Sequence, residues 1–344
     1  MEYWINFADC CNFNCSYCFQ GQEKQNKIIT KEIIDKFIRN LSFYKDLKEL
    51  RINLAGGEPL LCPELIVYFY KQLENLKNVK LDVGLITNGY LLTKEKISLL
   101  DQINISYQIT IDGLETNHNK RRSHKSKNDS FETIMKNLDY FYQTHKDKNI
   151  DFHIRTNVDK ENAEDVPLLY NLIKEKYGNY FGYFINPVEN YSKDDSNSNL
   201  FTNEEFADYL IQLYEKHHIF LPQSYFPVYR TAGGYCPADR NYSFVLTSNG
   251  DLLKCPCDVG KKERIIRNIN LPNGYYNYKP EYDYLLSNSI FNNKKCTECN
   301  LLFQCMGGCP HKRLEGLKNC PPAFFQLDKF LEIYYLENKS PEIK

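Results

Sequence analysis

A chain of 344 residues with 43 Lys and Arg against 44 Asp and Glu carries a formal net charge of −1, so no global field draws it to nucleic acid or to an anionic membrane. No apolar run approaches the roughly 20 residues of a membrane span, and no basic, apolar leader precedes the first strand. The expectation is a cytoplasmic protein whose thirteen cysteines stay reduced and serve as metal ligands rather than disulfides, with enough chain for one large domain or two moderate ones.

Tyr3, Ile5 and Phe7 alternate like a strand, which runs into Cys11-Asn12-Phe13-Asn14-Cys15-Ser16-Tyr17-Cys18. Three thiols spaced by four and three residues on one loop can converge on a small inorganic cluster. Three ligands are one too few for a closed site, and an iron–sulfur cube held this way keeps one iron open to a substrate or cofactor. A zinc knuckle or redox thiols are the competing readings of the octapeptide.

Helical and strand patterns then alternate as far as Pro187. Ile33, Ile34, Phe37, Ile38 and Leu41 mark a helix face, and Leu50, Ile52 and Leu54 a strand. Pro63 opens a helix with Leu65, Ile66, Phe69 and Leu73 inward, before a strand through Leu81, Val83 and Leu85. Ile97, Leu99 and Leu100 predict a short helix ahead of the period-two run Ile105, Tyr107, Ile109, Ile111. Ser130 is the expected cap of a helix carrying Phe131, Ile134, Met135, Leu138 and Phe141. A strand at Phe152 and Ile154, a helix from Val166 to Ile173, a strand from Tyr180 to Ile185 and a helix from Glu204 to His217 complete six strand–helix units. Such alternation predicts an α/β fold with a parallel sheet and right-handed crossovers. Val188 to Asn203, rich in Asn, Ser and Asp, predict a mobile crossing or lid. Alternation stops near Pro222 to Arg230, the expected domain boundary.

The strand ends carry polar motifs, and in barrels reacting groups gather at the carboxyl ends of strands. Ala55-Gly56-Gly57-Glu58-Pro59-Leu60 follows the second strand; two glycines allow close backbone approach to a ligand, and the carboxylate can accept from an ammonium. An ordinary βα turn is the alternative. Thr87-Asn88-Gly89 and Thr110-Ile111-Asp112-Gly113 close the next two strands, where Asn88 and Asp112 can equally organise turns. The basic run through Lys127 reads as a solvated loop.

After residue 230 come Cys236-x13-Gly250-x4-Cys255, then Cys296-x2-Cys299-x5-Cys305-x3-Cys309, then x10 to Cys320. A zinc ribbon satisfies Cys296 to Cys309 as well as an iron–sulfur site does. Phe244, Val245 and Leu246 before Ser248-Asn249-Gly250 predict a hairpin, and Phe324, Phe325, Leu327, Phe330, Leu331 and Tyr334 a closing amphipathic helix.

The octapeptide, the Gly-Gly-Glu-Pro turn and the strand-end segments resemble radical S-adenosylmethionine (SAM) enzymes, and the later cysteines resemble their SPASM extension. The resemblance implies a partial (β/α)6 barrel over residues 1–222 and a Cys-rich SPASM domain over 230–338. It implies three [4Fe–4S] clusters: one on Cys11, Cys15 and Cys18 that binds SAM; one auxiliary cluster on Cys236, Cys255 and Cys309, with Cys257 as candidate fourth ligand; another on Cys296, Cys299, Cys305 and Cys320. That accounting leaves Cys10 and Cys62 as unligated core residues. Gly56, Gly57 and Glu58 would hold the SAM amino group, Thr110 its carboxylate, and Arg155 the carboxylate or ribose, with Asn157 beside them. His118, Arg121 and Arg122 recur in the family without an assigned role.

Relatives with this extension mostly modify ribosomally made peptides or proteins, which implies a radical SAM peptide maturase forming a thioether or carbon–carbon cross-link, or another oxidative modification. In the sulfatase-maturing branch an aspartate directly follows the cysteine that is Cys255 here; in this chain Pro256 and Cys257 intervene before Asp258. That displacement favours cross-linking or other ribosomal-peptide maturation; Asp258 is kept as the candidate base, a surface aspartate being the alternative, and oxidation of Cys or Ser to formylglycine is the second reading. Small-molecule dehydrogenation, and a non-catalytic iron–sulfur or zinc-binding electron carrier or adaptor, are the further alternatives. Implied partners are a peptide or protein substrate, an electron donor such as flavodoxin or ferredoxin, and a separate peptide-recognition protein unless the precursor docks directly; nucleic acid and membrane are not among them.

Overall fold

The computed structural model describes residues 1–21, 24–191, 199–225, 236–272, 274–287, 289–317 and 320–339. Much of the expected lid and most of the expected domain boundary lie outside these residues. Eleven strands are present among them: β1 (Glu2–Ala8), β2 (Phe13–Cys15), β3 (Glu49–Gly56), β4 (Lys80–Thr87), β5 (Ser106–Thr110), β6 (Arg122–His124), β7 (Phe152–Val158), β8 (Gly182–Pro187), β9 (Ser243–Leu246), β10 (Asp251–Leu253) and β11 (Arg267–Asn268). Nine form one sheet in the order β11-β10-β9-β1-β3-β4-β5-β7-β8, while β2 and β6 make a separate ribbon.

The six strands expected from the alternation are β1, β3, β4, β5, β7 and β8, and each pairs with the next in parallel. Helices α1 (Lys31–Ser42), α2 (Pro63–Leu73), α3 (Lys94–Leu100), α4 (Glu115–Arg121), α5 (Ser130–His145), α6 (Asp165–Tyr177) and α7 (Asn203–His217) fill or follow the crossovers. Side chains alternate across a strand, so one face of the sheet meets the helices. Tyr3 packs edge-on to Phe37 of α1, and Phe7 to Phe69 of α2; Ile5, Ile52, Leu54, Leu85, Ile109 and Ile154 are fully enclosed between them. The opposite face is mixed, carrying Asn53, Gln108, His153, Arg155 and Asn157 beside Trp4, Ile86 and Phe184. Among the described residues no helix is long and apolar enough to cross a membrane.

Three details differ from expectation. Ser130 does not cap α5: Asp129 holds that position, and both the Ser130 hydroxyl and the Phe131 amide donate to Asn119 Oδ1 on α4, at 2.7 and 2.8 Å. The predicted last strand begins at Gly182, because Tyr180 and Phe181 pack edge-on against Tyr142 and Phe152. The closing helix spans Leu327–Asn338 and buries Phe330 and Ile333, leaving Leu331 and Tyr334 on its open face.

β9 lies parallel to β1, with Tyr3 opposite Phe244 and Ile5 opposite Leu246. The predicted hairpin of β9 and β10 thus extends the main sheet. The consequence is positional: the turn after β9 lies at the same end of the sheet as the cysteine loop after β1, while β10, two strands from β1, runs back from that end toward Cys255.

Candidate active site

The cysteine loop is clamped rather than loose. β2 runs antiparallel to β6, placing Cys15 opposite Arg122, and the Ser16 amide donates to Arg121 O at 2.9 Å. Arg121 is enclosed and grips both carboxylate oxygens of Asp159 at 2.7 and 2.6 Å, with its guanidinium 5.2 Å from the centre of the Tyr17 ring. The Tyr17 hydroxyl donates to Asp112 while accepting from Arg122 at 2.6 Å and from Asn157 Nδ2 at 3.1 Å. His118 accepts from the Asp112 amide at 3.1 Å. Burial, aided by Arg122 and Arg121, holds its imidazole well below its ordinary pKa, so His118 is a neutral acceptor here. These residues therefore join the cysteine loop to the ends of β5 and β7.

The three thiols share one environment. Cys11 and Cys15 are buried and Cys18 half-buried. The Lys24 ammonium hydrogen-bonds Cys18 and stands within electrostatic reach of Cys11 and Cys15. Burial pushes the Cys11 thiol up to about 11, with Glu58 adding to the shift. Burial raises Cys15 as well, and these two thiols stay protonated until a metal cation compensates the charge.

Gly56 and Gly57 serve strand packing. Gly56 sits at φ +135°, and a Cβ there would lie 2.3 Å from Ala8 O; one on Gly57 would lie 2.1 Å from Cys10 O. Their absence of side chains lets the end of β3 close against the start of the cysteine loop, where Gly57 N and Glu58 N donate to Ala8 O and Cys10 O at 2.6 and 3.0 Å. The Glu58 carboxylate is enclosed and already accepts from Thr87 Oγ1 (2.6 Å), the Leu60 amide (2.9 Å) and the Asn88 amide (2.8 Å). Asn88 in turn donates to Asn12 Oδ1 at 2.8 Å and approaches Cys11 Sγ at 3.9 Å. One carboxylate thus ties the second and third strand ends to the cysteine loop.

Thr110 and Arg155 are register partners on β5 and β7, and the Arg155 Nε donates to Asn157 Oδ1 at 2.8 Å. All three predicted residues therefore meet at one end of the sheet. Burial draws the Arg155 guanidinium below its ordinary pKa despite Tyr17, Tyr191 and Asp112 nearby.

The later cysteines assemble in two groups. Cys255 hydrogen-bonds with Cys257 and lies within electrostatic reach of Cys309, and Cys236, Cys255 and Cys257 pack in one cluster around Tyr284 and Ala238. Cys305 and Cys320 face each other and Cys296, with Cys299 near Cys320; the Leu301 amide donates to Cys299 Sγ at 3.4 Å. Sets of three, four and four thiols suit iron–sulfur clusters with and without an open iron. Among the described residues no three Cys, His, Asp or Glu side chains close on a single metal ion. Cys62 packs in the core with contacts to Phe7 O and Pro59 O, and Cys10 contacts Lys27 O.

Asp258 is not a surface aspartate. It is fully enclosed beside the first of these groups, accepts from Tyr284 at 2.7 Å, and has His311 Nδ1 at 3.5 Å and Lys261 Nζ at 3.6 Å. Burial opposes its charge, but His311, Tyr284 and Lys261 prevail and hold its carboxyl below the ordinary value. The ring of Tyr191, in the stretch expected to be a mobile crossing or lid, stands 5.7 Å from that of His311 and within electrostatic reach of Cys255, Cys257 and Cys309. Tyr191 also acts on Arg155, so it links the two halves of the site. Neither Tyr191 nor His311 carried a sequence signal beyond residue type; contact across the fold creates their roles.

Residues 5–173 match the Radical SAM superfamily. A cysteine-type anaerobic sulfatase-maturating enzyme from Clostridium novyi (strain NT) is 22% identical over 90% of this chain and 87% of its own length. The radical SAM cyclopropyl synthase TigE from Paramaledivibacter caminithermalis is 25% identical over 87% of this chain, which spans 65% of that enzyme. Among solved structures, native anSMEcpe with bound AdoMet and Kp18Cys peptide superimposes with a TM-score of 0.75 at 17% identity, covering 98% of this chain and 97% of that one. The two chains share one fold over nearly their whole lengths.

Proposed function

The chain belongs to the Radical SAM superfamily through residues 5–173 and is an enzyme of that superfamily, using a [4Fe–4S] cluster and SAM; on that premise we propose that it is a peptide maturase that removes hydrogen from a ribosomally made peptide. We assign residues 1–222 to the barrel and 230–338 to an auxiliary-cluster domain, with Cys11, Cys15 and Cys18 holding the SAM-binding cluster. Cys236, Cys255, Cys257 and Cys309 hold one auxiliary cluster, and Cys296, Cys299, Cys305 and Cys320 the other.

The observation that supports this reading is the position of Tyr191, within electrostatic reach of Arg155 at the strand ends and of Cys255, Cys257 and Cys309 among the later cysteines. When bound, cluster and SAM supply a 5′-deoxyadenosyl radical that takes one substrate hydrogen, and auxiliary clusters offer an acceptor for the second electron. The chain's own residues do the rest. Glu58 and the Tyr17–Asp112–Arg122 network fix the cysteine loop, while Gly56, Gly57, Thr110, Arg155 and Asn157 form the SAM-facing strand ends. Asp258, held ionised by His311 and Tyr284, accepts the departing proton. Preorganisation of this kind confines a reactive carbon near the radical and away from water.

The test is anaerobic incubation of the reconstituted enzyme with SAM, a reductant and a panel of short cysteine-containing peptides, followed by mass spectrometry. Loss of two hydrogens at a cross-linked residue pair is expected. The position of Asp258 beside Cys255 favours a second reading, sulfatase maturation, in which a C-x-P-x-R or S-x-P-x-R peptide is oxidised to formylglycine instead.

A further inference from the structure

A cavity of about 440 Å³ lies between the segment that follows Cys18 and the β9–β10 hairpin with its downstream loop. Its volume is that of a small-ligand or side-chain site rather than a flat docking face. Lys24, Lys27, Lys261 and Lys262 line it, against Asp9 and Asp251. Both carboxylates are engaged from within the fold: Ser248 Oγ donates to Asp9 at 2.5 Å, and Asn268 Nδ2 to Asp251 at 2.7 Å. Lys27 and Lys262 are exposed; Lys27 acts on Asp9 across the cavity, and four lysines against two carboxylates leave surplus positive charge. Leu253, Val259 and Ile265 add an apolar wall.

Its two ends adjoin the chemistry. Lys24 touches Cys18 and faces Cys11 and Cys15, while Lys261 pairs with Asp258 at 3.6 Å. The lysine segment is held in place by main-chain bonds, Asp9 N to Lys27 O at 2.8 Å and Ile29 N to Phe7 O at 2.8 Å.

We propose that this cavity binds an acidic segment of the peptide substrate, its carboxylates on Lys27 and Lys262 and an intervening aliphatic side chain against Leu253, Val259 and Ile265. The inference rests on the peptide-maturase reading and adds to it the charge of the substrate. Exposed ammonium groups in excess over carboxylates give selectivity by charge, and they bind more weakly as salt rises.

The experiment measures anisotropy of three fluorescein-labelled decapeptides, of alternating Glu and Leu, Gln and Leu, or Lys and Leu, on the anaerobically reconstituted enzyme. The Glu peptide is expected to bind about tenfold or more tighter than the other two, with affinity falling as NaCl increases. The doubly substituted K27E/K262E enzyme should lose that preference and favour the Lys peptide, with K27Q/K262Q intermediate and thermal unfolding unchanged in both. Equal binding of all three peptides, or wild-type preference in K27E/K262E, overturns the proposal. So does a double variant that keeps Glu-peptide binding but takes electrons more slowly from a flavodoxin, since the lysines would then serve the donor. Because binding requires no turnover, failure of the maturase reading shows separately, as peptides that bind without any mass change while SAM is cleaved.

Discussion

Asn88 donates its backbone amide to Glu58 Oε2 across 2.8 Å, thirty residues along the chain and one strand away. Thr87 and Leu60 occupy the other oxygen, so the carboxylate organises two strand ends at once. Replacing it leaves three enclosed donors without an acceptor, each costing about 1–3 kcal/mol. Glu58→Ala is expected to destabilise the apo protein by about 3 kcal/mol or more, read in denaturant unfolding. Glu58→Gln retains the oxygen facing Thr87 and Leu60 and should lose only the Asn88 contact, about 1–3 kcal/mol. Equal stability of both variants and wild type would remove Glu58 from this role.

His118 provides a pH dependence with a definite sign. Burial depresses its folded pKa below the ordinary 6.5, so below that pH the unfolded chain takes up a proton that the folded chain refuses. Stability is therefore complete above pH 6.5 and falls by about 1.4 kcal/mol per pH unit as pH drops beneath it. In His118→Gln, whose amide oxygen can still accept from Asp112, this component of the slope should vanish. Denaturation curves for the two proteins between pH 5 and 7 supply the comparison.

The six parallel strands were legible because apolar residues such as Tyr107 and Ile109 alternate with polar ones, and period two survives without knowledge of the partner. The motif positions were legible for a related reason: a strand end is a place in sequence as well as in space. What escaped depends on contacts distant in the chain. Residues Arg122 to His124 are a basic tripeptide until they pair with Phe13 to Cys15, and Ser130 looks like a cap until Asn119 is seen to cap it. The glycines of the Gly-Gly-Glu-Pro turn were legible as necessary, and the fold adds a second reason that lies outside the motif. They admit the backbone of Ala8 and Cys10.

Cys257 separates the two ways of dividing the cysteines. It hydrogen-bonds Cys255 and packs with Cys236, whereas Cys62 is buried with its thiol pushed up to about 12 by its surroundings. The reconstituted wild type should hold about twelve irons, four for each of three clusters. Cys257→Ala is expected to lose about four of them or to show an altered auxiliary-cluster resonance, while Cys62→Ala and Cys10→Ala keep the full count. Iron and sulfide analysis with electron paramagnetic resonance distinguishes these results. Zinc in place of iron at the later cysteines would contradict the assignment.

Asp258 is enclosed, yet its carboxyl is held below the ordinary range because Tyr284 and His311 oppose the cost of burial. A group in that state is charged at neutral pH and can take a proton once substrate oxidation releases one. Asp258→Asn preserves shape and the Tyr284 contact while removing basicity. It is expected to retain iron content and SAM cleavage but to lower peptide oxidation by about 10²-fold or more. Asp258→Ala also vacates the space between Tyr284 and His311, and should in addition loosen the Cys255 cluster and lower iron content. If Asp258→Asn oxidises peptide at the wild-type rate, the carboxylate only scaffolds the auxiliary site; if it loses iron as Asp258→Ala does, charge rather than proton transfer is what the site requires.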